Sequence, residues 1–380
     1  MRLPTWDELA AESEQLEVLE YPLDQSLFVV GPPGSGKTVL AVQRARAAVQ
    51  DSDVSSVAIV TFNRMLRRLL NLIREDGAEE SLVDGGGDPD AFTMHSFVSR
   101  DYRDRTGSPP PSVPHDQYAY DWDAMSEVLR EHGHASPDRE HLVVDEGQDL
   151  PEGFFGYAAR HVSRMMTVFA DDDQAVGDRR TTLEQIKKAA GLPDPIILTR
   201  NHRNTPEIAR LAEHFHDGRL PVATVLRLPS GQPPRLVLSR DLESTAVFVS
   251  NWCKTRGGNV GVIVNRNPTG SDLCSRLSRI LPSNSRVDMY ESWRENDARI
   301  DLLAPGVTIL NKESAKGQEF DTVFVLELEG FIPCTTEAER RAMYMMCTRA
   351  RDNLFLVYGP HDLAPAAAVA LPGPDILERS

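Results

Sequence analysis

The chain has 380 residues, 41% hydrophobic and 26% charged, with a formal net charge of −16 at pH 7. That length can bury two ordinary cores. No apolar run approaches the roughly 20 residues of a membrane span, and the start, Met1-Arg-Leu-Pro-Thr-Trp-Asp-Glu8, lacks a signal-peptide core, so a cytoplasmic location without membrane contact is expected. The acidic excess opposes nucleic acid unless a basic groove overcomes it locally.

The first predicted strand, Leu27–Val30, runs into Gly31-Pro-Pro-Gly34-Ser35-Gly36-Lys37-Thr38 and then into helix-formers from Val39 to Val49. Strand, glycine-rich turn and helix in that order make a phosphate-binding loop. Its backbone N–H groups turn toward phosphates, Lys37 adds a point charge, and the Thr38 hydroxyl is offered to Mg²⁺. Val57–Phe62, Leu142–Val144, Met165–Ala170 and Ile196–Thr199 are expected to join the same parallel sheet. The acidic, Gly-rich Glu75–Asp90 segment reads as a disordered loop.

An acidic pair ends one of these strands, in His141-Leu-Val-Val-Asp145-Glu146-Gly-Gln148-Asp149. Asp145 suits Mg²⁺, and Glu146 can orient and deprotonate an attacking water. A small-molecule kinase needs no such glutamate, so hydrolysis is favoured over transfer. His132 and His134 have no second pair nearby and read as a polar loop rather than metal ligands. Past Arg203 the alternation restarts. Leu236–Leu238, Val260–Val264, Val307–Leu310, Thr322–Leu326 and Leu354–Tyr358 predict a second sheet, with helices over Ser244–Lys254, Asp272–Ile280 and Thr336–Met346. The scattered cysteines Cys253, Cys274, Cys334 and Cys347 read as buried free thiols.

Asp145-Glu-Gly-Gln-Asp149 resembles the second motif of superfamily 1 helicases of the UvrD/Rep type, and the rest of that series follows in order. Gln15, in Ser13-Glu-Gln-Leu-Glu-Val-Leu19, resembles the glutamine that reads adenine. Thr61-Phe62-Asn63-Arg64 resembles motif Ia, and Thr93-Met-His95-Ser96-Phe97 motif Ib. Ala170-Asp-Asp-Asp-Gln174 is similar to motif III, whose glutamine senses the γ-phosphate. Leu198-Thr-Arg-Asn201-His202-Arg203 is similar to motif IV, with Arg203 the matched γ-phosphate contact. Lys316-Gly-Gln318-Glu319-Phe-Asp321 matches motif V, and Tyr344-Met-Met-Cys-Thr348-Arg349-Ala350 motif VI, giving Arg349 the arginine-finger role.

The resemblance implies an α/β protein of two tandem RecA-like P-loop NTPase domains, 1–200 and 201–380, hinged near Asn201–Asn204, with ATP and Mg²⁺ in the cleft between them. His202 and Glu319 then join the nucleotide contacts. Phe62, Asn63, Arg64, His95, Ser96 and Arg180 match strand-contacting positions, and Arg64, Arg67 and Arg68 share one helical face as a possible phosphate stripe.

Four departures qualify the match. Gly177 and Arg179 replace the aromatics that stack on bases. Asn311 and Glu313 replace the threonine and histidine of motif V, placing a carboxylate where a phosphodiester would pass. Val39 and His202 replace the arginine and tyrosine that sandwich adenine. Only 49 residues separate Ser96 from Asp145, and 113 separate Arg203 from Lys316, leaving no room for the usual inserted subdomains. Two readings follow, both requiring a competent ATPase: a minimal translocase or helicase with weak grip on single-stranded DNA, or a regulatory ATPase subunit controlling a nuclease or another effector in a bacterial multi-gene system.

Overall fold

In a computed structural model the chain is described over residues 6–50, 56–62, 89–171, 181–216, 222–290 and 304–379. It forms two compact units, one of Arg2–Gly31 and Gly36–Leu198, the other of Pro32–Ser35 and Thr199–Ser380.

The N-terminal unit begins with α1 (Trp6–Ala10) and α2 (Ser13–Glu20), then alternates β1 (Leu27–Val30), α3 (Lys37–Gln50), β2 (Val57–Thr61), β3 (Asp90–Thr93) and α4 (Met94–Thr106). A two-stranded antiparallel hairpin, β4 (Ser112–Val113) and β5 (Asp116–Tyr120), and α5 (Trp122–Glu131) lead to β6 (Arg139–Val144). Then come α6 (Glu152–Tyr157), β7 (Ser163–Ala170), α7 (Leu183–Ala190) and β8 (Ile196–Ile197). The main sheet is parallel in the order β3-β2-β6-β7-β1-β8. Strand β1 and the second half of β6 are buried throughout, as continuous apolar runs covered on both faces should be.

Three expectations need correction. The second strand stops at Thr61, leaving Phe62 51% exposed. The last strand stops at Ile197, and the Leu198 N–H makes its final contact with the first strand, to the Val30 carbonyl at 2.8 Å. Asp90 opens edge strand β3 rather than closing a loop, and residues 75–88 lie outside the described residues.

The C-terminal unit starts with the short parallel pair β9 (Arg200–Asn201) and β10 (Thr224–Val225), separated by α8 (Pro206–Glu213). Its main sheet contains β11 (Arg235–Leu238), β12 (Asn259–Val264), β13 (Val287–Met289), β14 (Gly306–Asn311), β15 (Phe320–Val325), β16 (Ala350–Tyr358) and β17 (Glu378–Arg379), with α9 (Leu242–Arg256), α10 (Asn267–Ile280), α11 (Glu337–Cys347) and α12 (Pro365–Val369) between. All pairings are parallel, in the order β13-β14-β12-β15-β16-β11-β17. Val260, Val262, Val264, Phe324 and Phe355 build its core, with the two phenylalanine rings stacked at 4.7 Å. Of the cysteines only Cys347 is buried; Cys253, Cys274 and Cys334 are half-buried, the first two packed against the edge of the core. Both units are α/β layers on parallel sheets, the architecture of tandem P-loop domains.

Candidate nucleotide site

The glycine-rich loop leaves the carboxyl end of β1, where a parallel sheet places ligands. Gly34 and Gly36 have φ of +80° and +90°, a region side chains avoid. A Cβ on Gly36 would also come within 2.7 Å of Gln15 Nε2, so the buried amide of α2 lies directly against the loop. The Ser35 hydroxyl donates to the Pro32 carbonyl at 2.9 Å. Lys37 begins α3 and is 7% exposed; its Nζ donates to the Gly31 carbonyl at 2.6 Å and pairs with Asp171 at 3.0 Å.

Asp171 follows β7 and Asp145 follows β6, the neighbouring strand of the sheet, and Gln148 joins the two ends. Its Oε1 accepts from the Asp171 N–H at 2.9 Å while its Nε2 donates to Glu146 at 2.6 Å. Lys37, Asp171, Gln148 and Glu146 therefore form one linked chain of buried polar groups. Glu146 itself has φ of 54°, a left-handed conformation uncommon outside glycine and asparagine.

Asp145 is fully buried. Burial, then the adjacent Glu146 carboxylate, push its pKa up to about 7, while the Thr38 hydroxyl opposes them through a hydrogen bond. Its Oδ1 accepts the Glu146 N–H at 3.0 Å, whereas Oδ2 has no hydrogen-bond partner. An orphaned carboxylate oxygen beside a hydroxyl is a hard-oxygen donor set, and it fits Mg²⁺.

In the C-terminal unit, Arg203 Nη2 pairs with Glu319, and its Nη1 reaches the Thr348 carbonyl at 3.4 Å. The His202 N–H donates to the Gly34 carbonyl at 2.9 Å within the same unit. Arg349 is 1% exposed, with Nε on the Met345 carbonyl at 3.0 Å and Nη1 on the Gln318 carbonyl at 3.4 Å. To reach a phosphate, this guanidinium must exchange carbonyl partners.

Among the nucleic-acid candidates, Phe62 and His95 follow the ends of the paired strands β2 and β3 and are exposed. The His95 ring lies 5.3 Å from Tyr120 of the hairpin. Ser96 is engaged locally, its hydroxyl donating to the Thr93 carbonyl at 2.9 Å. Asn63, Arg64, Arg67, Arg68, Gln174, Gly177, Arg179 and Arg180 lie outside the described residues. His132 caps the end of α5, and the His134 carbonyl accepts from His161. Sequence reasoning passed over Gln148 and Asp171, although both stand inside quoted motifs. A glutamine two residues after the Asp145-Glu146 pair is the signal that the sequence offers.

An AAA domain family model matches residues 15–178. No curated protein matches the chain. Among solved structures, the C-terminal domain of a possible DNA helicase from Lactobacillus plantarum WCFS1 is 22% identical, with a TM-score of 0.34, covering 47% of this chain and 98% of that one. An arterivirus nonstructural protein 10 (helicase) is 15% identical, with a TM-score of 0.43, and the same helicase with DNA gives 15% and 0.42. Each of these two comparisons covers 94% of this chain, which spans 65% of the arterivirus chain's length. The AAA match and the loop geometry together define a P-loop nucleotide-binding unit.

Proposed function

We propose that the chain is an ATPase of the UvrD/Rep-like helicase class that hydrolyses ATP with Mg²⁺ and acts on DNA, as part of a multiprotein system. One observation carries the reading. Lys37, Asp171, Gln148 and Glu146 are linked at the carboxyl ends of one parallel sheet, next to an Asp145 oxygen without a partner. Lys37 and the loop N–H groups hold the phosphates, and Glu146, oriented by Gln148, receives the proton of the attacking water. Thr38 and Asp145 would hold Mg²⁺, which would supply charge neutralisation at the phosphates. Arg203 and Arg349 supply cations to the γ-phosphate.

A regulatory subunit controlling an effector is the second reading, favoured by what occupies the Ser96–Asp145 interval. The remainder of α4, the short hairpin, α5 and β6 fill it, leaving no room for a duplex-handling subdomain. The test is ATP turnover by the purified chain with and without single-stranded DNA, across salt. Glu146→Gln is expected to retain ATP and lose turnover; undiminished turnover would sink the ATPase assignment. Stimulation by DNA that fades with salt supports a translocase. Turnover indifferent to DNA supports the regulatory subunit.

A further inference from the structure

The two arginines assigned to the γ-phosphate share a support that no motif names. Asn204 is fully buried, one residue after Arg203. Its Nδ2 donates to the Thr348 carbonyl at 3.1 Å and to the Ala350 carbonyl at 2.5 Å, on the residues before and after Arg349. Its Oδ1 accepts from Asn201 Nδ2 at 2.8 Å. Asn201 Oδ1 in turn accepts the backbone N–H groups of Arg203 and Asn204 at 2.9 and 3.0 Å.

Arg349 is pinned in the same way through its own peptide. Its N–H donates to Met346 at 3.2 Å, and its carbonyl accepts from Phe320 at 3.0 Å. On the outer side, Arg227 Nη1 donates to the Arg203 carbonyl at 2.8 Å and to the Arg351 carbonyl at 2.7 Å, while its Nη2 pairs with Asp352 at 2.7 Å.

We propose that Asn204 is a positioning residue, an amide bridge that fixes the spacing between Arg203 and Arg349, with Arg227 as its outer buttress. The proposal rests on the ATPase reading and deepens it. A carboxamide supplies two donors and an acceptor in one plane, and here all three are spent on the two arginine-bearing segments. Losing the donors takes one hydrogen bond from each of these two carbonyls and leaves Thr348 the longer contact from Arg203 Nη1 at 3.4 Å. A displacement of about 1 Å at a reacting centre can cost about 10²-fold in rate.

The experiment is steady-state ATP hydrolysis by the full chain with Mg²⁺, comparing Asn204→Asp in the native and Arg349→Ala backgrounds. The aspartate keeps shape and acceptor but has no donors. In the native background kcat should fall about 10- to 100-fold with KM within about twofold, and in the Arg349→Ala background the substitution should cost nothing further. Equal losses in both backgrounds overturn the proposal and leave Asn204 as a strut. Should Asn204→Asp not fold, Arg227→Gln, on a side chain 31% exposed, carries the same two-background comparison with an expected loss of about tenfold. A native chain without turnover above Lys37→Ala overturns the ATPase reading and this proposal together. Turnover with equal losses overturns the proposal alone.

Discussion

The ends of β6 and β15, one in each unit, share a backbone and differ in chemistry. Each buried strand runs out into a left-handed glutamate, Glu146 with φ of 54° and Glu327 with φ of 55°, followed by a single 3-10 turn. Glu146 takes a hydrogen bond from Gln148 at the candidate nucleotide site. Glu327 is saturated at the start of α10, accepting the Asn265 and Arg266 N–H groups, Arg266 Nε and the Thr269 hydroxyl. In the N-terminal unit the helix after β1 opens instead from a glycine loop. A helix N-terminus attracts an anion in either case. Where the chain supplies its own carboxylate the position becomes a strut, and where it supplies glycine and lysine the position is left for a phosphate.

The largest expected effect tests the open half of that comparison. Lys37→Ala should weaken ATP binding about 100-fold, the loss of a charge-assisted contact worth about 3 kcal/mol. It also removes the Lys37 ion pair from the buried Asp171 carboxylate, so the nucleotide-free protein should melt lower. Calorimetric titration of the native chain should give one nucleotide per chain. A second site of similar affinity would break the contrast between the two strand ends.

The filled half predicts the converse. Glu327→Ala removes a carboxylate that serves four donors and should destabilise the protein by about 2–3 kcal/mol in urea unfolding, leaving ATP affinity unchanged. If the carboxylate stands where an anion belongs, millimolar inorganic phosphate should restore part of the loss. A fall in ATP affinity matching that of Lys37→Ala would show that Glu327 serves the nucleotide instead.

The parts of this arrangement that the sequence displays are those where burial and composition coincide. Leu27–Val30 and its loop are unmistakable because a doubly covered strand is apolar at every position. The edge strands Asp90–Thr93 and Val287–Met289 are not visible, since they are only partly buried and contain aspartates. Strand β16 starts at Ala350 rather than Leu354 because polar Asp352 and Asn353 lie in it, across a register shift against Phe320 and Thr322. Glu327, within Leu-Glu-Leu-Glu-Gly, resembles any surface carboxylate until the fold brings Asn265 and Arg266 to it, some 60 residues distant. Asn204 is hidden for the same reason, since its partners are 144 and 146 residues away. Periodicity carries no information about pairings of that range.

The smallest expected effect separates the units by how they begin a helix. Both α7 and α11 start with a capping box, Thr182 with Gln185 and Thr336 with Glu339. The first is neutral. In the second, hydrogen bonds from the Thr335 hydroxyl and then the Thr335 and Thr336 N–H groups hold Glu339 below its ordinary value of 4.5. A carboxylate with a depressed folded pKa stabilises above its unfolded pKa and loses that contribution as pH falls through the folded one. Thr182→Ala should therefore cost about 1 kcal/mol at any pH where the protein is folded. Thr335→Ala, which takes away the hydroxyl that donates to Glu339, should cost most at neutral pH and progressively less as pH falls below about 4.5, because a protonated Glu339 no longer draws on that donor. Urea unfolding of both variants at pH 7 and near pH 4 distinguishes them, and the same pH dependence in both would remove the difference between a neutral and a charged cap.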